Sequence, residues 1–144
     1  MIWDECFVAR TLSKEEIVTG VAEVFGISNN KVRVFSADEW ESYLSLPGIA
    51  HEPLLCRLSQ HNGAFPMQIH FYIAENSVTP PQSRGEALHQ LAAIWRCSII
   101  TSFGTLDYLV DEHGKKHIWV DEDWLEAHNE VIYKIAADET QSDE

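Results

Sequence analysis

Hydrophobic and polar residues alternate along this chain in two periods, and the switches between them mark out a mixed fold. Ile2 to Ala9 is rich in aromatic and β-branched residues and predicts a strand. Ser13 with Glu16 three positions on makes a capping box, and Ile17, Val21, Val24 and Phe25 form one apolar stripe that ends at Gly26, which predicts a helix. After the Asn29-Asn30 turn, Val32 to Phe35 predicts a short strand. Ser36 with Glu39 repeats the capping pattern before Trp40, Tyr43 and Leu44, a brief helix that stops before Pro47-Gly48.

Leu54 to Ser59 and Phe65 to Ala74 predict two strands joined through His61-Asn62-Gly63, where Asn-Gly supplies the positive φ of tight turns. In the second strand Met67, Ile69, Phe71 and Ile73 share one face, with Gln68, His70 and Tyr72 on the other. The polar loop Glu75 to Ser83, broken by Pro80-Pro81, is the best candidate for a mobile segment. A helix from about Gly85 to Arg96 carries Ala87, Leu88, Leu91, Ala92 and Trp95 on its buried side. Cys97 to Thr101 predicts a strand, and Leu106 to Val110 with Lys116 to Val120 a hairpin. A last helix is expected over Trp124 to Ala137, its apolar side Leu125, His128, Ile132, Ile135 and Ala136.

Tight hairpins demand antiparallel pairing, and no strict βαβ rhythm appears. The fold expected is therefore α+β: residues 1–137 as a single domain with a mostly antiparallel sheet, two main helices and a C-terminal helix packed on one face. Residues 138–144 are expected to be a disordered acidic tail. At 144 residues and 45% hydrophobic, the chain is long and apolar enough to bury a core without metal or disulfides. Cys6, Cys56 and Cys97 are widely spaced with no CxxC pair, which suits a reducing cytoplasm. The first ten residues lack the basic region of a secretion signal, and no apolar run reaches membrane-spanning length.

Charge changes the picture most. Residues 107–144 hold 12 carboxylates against three lysines, a net of −9 out of −13 for the chain. Such a field repels nucleic acid and raises the encounter rate with basic proteins. If the last helix forms, Asp123, Glu126 and Glu130 lie on one side of it, Tyr133 continues the stripe, and Asp121 and Glu122 sit at its start. Acids at a helix start and on a solvated face are also ordinary. Against that, only Glu130 has a base four positions on, Lys134, so the repulsion among the others is not relieved. Trp119 and Trp124 bracket Asp121-Glu122-Asp123; core packing, as for Trp3, Trp40 and Trp95, is the expected fate of both, with aromatic anchors ringed by acid as the alternative.

Other chemistry has less behind it. His113 and His117 straddle a turn and lack helical zinc spacing, His128 reads as a packing residue, and His70 has no companion in sequence. No cysteine has an evident base beside it, and no GxGxxG or P-loop occurs, so no cofactor is expected.

In the segment Ala87-Leu88-His89-Gln90-Leu91-Ala92-Ala93, then Ser98-Ile99-Ile100-Thr101, Asp107-Tyr108-Leu109-Val110 and His117-Ile118-Trp119-Val120-Asp121, the chain resembles the immunity proteins that bacteria make against their own polymorphic or contact-dependent toxins. The resemblance implies a cytoplasmic, non-catalytic inhibitor that covers a nuclease-like toxin domain with carboxylates standing in for phosphates. The expected partner-binding residues are Asp121, Glu122, Asp123, Glu126, Glu130, Trp119 and Tyr133. The alternatives are a small enzyme built on residues such as Glu75, His70 and His113, or an oligomeric regulatory subunit; as a binding protein it is expected to be a monomer or weak homodimer.

Overall fold

The computed structural model describes residues 2–44, 53–73, 83–103 and 106–136. The Pro80-Pro81 loop, Glu75, the acidic tail 138–144 and the side chain of Trp3, all named above, lie outside the described residues. In chain order the elements are β1 (Ile2–Val8), α1 (Lys14–Phe25), β2 (Val32–Ser36), α2 (Ala37–Leu44), β3 (Leu54–Gln60), β4 (Met67–Ile73), α3 (Arg84–Trp95), β5 (Ile99–Phe103), β6 (Leu106–Asp111), β7 (Gly114–Val120), α4 (Glu122–His128) and β8 (Tyr133–Ile135). The eight strands form one sheet in the order β2-β3-β4-β1-β5-β6-β7-β8. Among the described strands only β2 and β3 run parallel, as a connection carrying a helix allows, and the other strand pairs are antiparallel. The chain is thus a single α+β domain on a mostly antiparallel sheet.

Local signals set the first two helices. Ser13 Oγ accepts from the Glu16 amide while Glu16 Oε1 accepts from the Ser13 amide, and Gly26 closes α1 at φ +66°. Ser36 and Glu39 make the same reciprocal bonds at α2. Each such cap stabilises its helix by about 1 kcal/mol. α1 and α3 pack on one face of the sheet over Cys6, Val8, Ile69, Phe71, Ile99 and Val110. Gly20 brings them together: a Cβ there would lie 2.5 Å from Trp95 Nε1, which donates to the Glu16 carbonyl over 3.0 Å.

The other face is apolar too, because Phe7 and Ala9 in the first strand region alternate with Cys6 and Val8. It is covered in two places. Trp40 of α2 packs with Leu55 and stacks on Tyr72 at 5.0 Å. Leu125 of α4, with Phe65 and Val131, covers Ile100, Leu109 and Ile118, so α4 lies across the sheet from α1 and α3.

The largest departure from expectation is at the C-terminal end, where the helix expected over 124–137 stops at His128. Asn129 adopts the left-handed conformation, φ +53°, and its amide bonds to the Leu125 carbonyl. The following Val131-Ile132-Tyr133-Lys134-Ile135 is β-branched and aromatic, suits a pleated strand, and pairs with β7: Ile118 opposite Ile135, Trp119 opposite Lys134, Val120 opposite Tyr133. Sheet hydrogen bonds and burial of Val131 and Ala136 outweigh the helical period that Leu125, His128, Ile132 and Ile135 also satisfy.

Candidate functional site

Ending α4 early redistributes the expected site. Asp121 is the N-cap, its Oδ1 accepting from the Trp124 amide at 3.0 Å, and Glu122 and Asp123 fill the first turn, where the helix dipole favours anions. Asp121, Glu122, Asp123 and Glu126 are all exposed. Ion pairs with Arg or Lys elsewhere join Arg10 to Glu16, Lys14 to Glu39 and Arg84 to Asp4; among the described residues no base pairs with these four carboxylates. Asp107, 14 to 19 positions earlier in the chain, lies close enough to act on Glu122, a proximity that only the folded sheet creates. Partial burial, reinforced by the Asp107 charge, pushes the Glu122 carboxyl above its ordinary value.

Glu130 and Tyr133 leave the stripe. Glu130, expected on the same helical side as Asp123 and Glu126 with Lys134 as its counter-charge, is half-buried beyond the helix end. Its Oε1 accepts from the Trp124 indole at 3.1 Å, and its side chain lies over Gly63. Lys134 instead stands on β8 opposite Trp119. Tyr133 is exposed on β8 and meets Phe65 edge-on at 6.0 Å. Around this end the β3–β4 loop forms a cradle, the Asn62 amide bonding to the Asn129 carbonyl at 2.7 Å and Asn129 Nδ2 to the Gln60 carbonyl at 3.0 Å. Glu130 is thus a structural clasp, not a member of the free acidic surface.

Both tryptophans bracketing the acids are exposed, Trp119 at 53% and Trp124 at 39%, so the expected core packing fails for them while it holds for Trp40 and Trp95. Trp119 borders an open depression of about 310 Å³ with Val120, Asp121, Ile132, Tyr133 and Lys134. His128 is likewise exposed, its ring 3.8 Å from that of Trp124, and not packed inside.

Of the residues considered for catalysis, Glu75 lies outside the described residues, and His70 and His113 are not brought together. His70 does have companions, visible only in the register: Glu5, His70 and Arg57 stand side by side across β1, β4 and β3, with His70 Nε2 3.0 Å from Glu5 Oε2. Burial, with Arg57 nearby, holds this imidazole below its usual pKa against the pull of Glu5. His113 sits in the β6–β7 turn, three strands away in the sheet, a separation of roughly 14 Å at the usual strand spacing. His113 lies near Glu112, whereas His117 packs against Tyr108 and Trp119. Among the described residues no three His, Cys, Asp or Glu side chains are placed to hold a metal ion. Cys6 and Cys56 are buried and their thiols pushed well up, the opposite of an activated nucleophile; burial raises Cys97 as well.

Comparison with protein-family models, curated proteins and solved structures finds no match to this chain. No described helix is long and apolar enough to cross a membrane. Among the described residues the solvated carboxylates of α4 have no basic counter-charge, and with the exposed indole of Trp124 they attract cationic groups and offer them aromatic contact area.

Proposed function

We propose that this protein is a non-catalytic acidic binding protein that captures a basic protein partner on the α4 surface, acting in the cytoplasm as an immunity protein that blocks a nuclease-like toxin domain. The observation that supports it best is that Asp121, Glu122, Asp123 and Glu126 are exposed and have no basic partner among the described residues, while Trp124 of the same helix stands exposed among them. Self-repulsion of this kind costs stability unless a partner relieves it. Arginine and lysine on a nuclease surface that otherwise hold phosphates would meet carboxylates instead, and the Trp124 indole would supply the apolar anchor.

The test is to express the products of the genes that flank this one and mix each basic product with the protein. A one-to-one complex that abolishes nucleic-acid cleavage supports the reading. A basic neighbour that stays free and fully active at low salt contradicts it.

A further inference from the structure

We propose that the open edge of β8 accepts an extended basic segment of the partner as a ninth strand. The inference rests on the partner being basic, as above, and adds where its backbone lies.

Two bonds fix which way β8 faces. The Asp121 amide donates to the Ile132 carbonyl over 3.0 Å, and the Ala136 amide to the His117 carbonyl over 3.1 Å, with Trp119 opposite Lys134 midway between. In an antiparallel ladder only alternate residues bond to one neighbour. Residues 132, 134 and 136 therefore turn toward β7, and the amides and carbonyls of Tyr133 and Ile135 turn outward. β8 is the last strand of the sheet, and no described residue pairs with its outer side. Two donors and two acceptors, repeating roughly every 7 Å, are the template that strand addition uses.

Natural edges are usually blunted by charges, proline or a bulge. This one carries a single lysine, and Ile132, Tyr133, Ile135 and the neighbouring Trp119 are all exposed. Charge selects the occupant. A second copy pairing antiparallel about Lys134 would set the two lysines directly opposite each other and bring two chains of charge −13 edge to edge, both unfavourable. A basic strand with an apolar residue opposite Lys134 escapes both penalties, and its lysines or arginines opposite Tyr133 and Ile135 stand on the α4 side of the sheet, toward Asp121, Glu122 and Asp123.

The experiment uses the full chain and two probes, a capped nine-residue peptide alternating lysine and valine and an oligolysine of equal charge, followed by titration calorimetry and residue-resolved amide exchange. The alternating peptide is expected to bind at least tenfold more tightly than oligolysine and to slow exchange of the Tyr133 and Ile135 amides at least tenfold. Ile135→Pro, which removes one outward amide at a site where an edge strand tolerates proline, should cancel the advantage. Backbone N-methylation of the peptide should do the same with the protein untouched. Equal binding of both peptides with unprotected amides overturns strand addition and leaves acidic capture standing, whereas no binding of either overturns both. A peptide-free dimer with those amides already protected assigns the edge to a second copy and also overturns the proposal.

Discussion

The indole N–H of Trp124 donates to Oε1 of Glu130 over 3.1 Å, spanning the left-handed turn at Asn129 that converts α4 into the approach to β8. One bond thus ties the acidic helix to the strand at the sheet edge. It also separates two roles that the sequence superimposes, since Glu126 faces solvent while Glu130 holds the chain together.

Glu130→Ala is expected to cost about 1 kcal/mol, the value of a partly exposed hydrogen bond, and to leave association with a basic partner nearly unchanged. Gly63→Ala is expected to cost more, because Gly63 has φ +83° and an added Cβ would strike the Glu130 side chain. Urea unfolding checks both. Part of the Gly63→Ala penalty should vanish when Glu130 is also alanine, and strict additivity would contradict the clasp.

The α1–α3 contact makes a separate prediction. Gly20→Ala should destabilise by about 1–3 kcal/mol, as overpacking a tight core does, since the new methyl meets Trp95 Nε1. Trp95 fluorescence should shift with it. A neutral or stabilising result would mean that the two helices are not held at this distance.

Asp4 gives the fold a pH dependence of definite sign. It is buried, with Thr101 Oγ1 donating to it at 3.3 Å, and burial raises its pKa to about 6 against the lowering effects of the Glu5 amide and Arg84. An unfolded aspartate titrates near 4. The stability linked to this group is therefore fully present below about pH 4 and is lost as pH rises to about 6, a change on the order of 2–3 kcal/mol. Asp4→Asn should remove that loss and become more stable relative to the wild type as pH goes from 4 to 7. Parallel stability curves for the two proteins would contradict the assignment.

What could be read before the structure was local. Ser13 with Glu16 and Ser36 with Glu39 act within four residues, and the alternation from Met67 to Ile73 needs only one strand, so these features appear where expected. The end of α4 could not be read that way. Leu125, His128, Ile132 and Ile135 satisfy a helical period as well as Val131 to Ile135 satisfy a strand, and the choice is made by β7, a partner outside the segment. The Glu5-His70-Arg57 row needs the register of three strands, and the exposure of Trp119 depends on how far the helices extend over the sheet. Of the seven expected binding residues, Asp121, Glu122, Asp123 and Glu126 are exposed on α4, Trp119 is exposed on the other side of the sheet, Glu130 becomes a clasp and Tyr133 moves to the strand edge.

Capture of a cationic macromolecule requires the exposed carboxylates of α4, which have no basic partner among the described residues, to be open to it, and the most direct measurement is the association rate of a basic protein captured by the chain with wild type and with the Glu122→Gln, Asp123→Asn, Glu126→Gln variant. Neutralisation keeps the helix start free of added positive charge, and circular dichroism verifies the fold. At low salt the variant is expected to associate about tenfold more slowly, with the difference shrinking as salt screens the charges. Identical rates for the two proteins at every salt concentration would contradict the account.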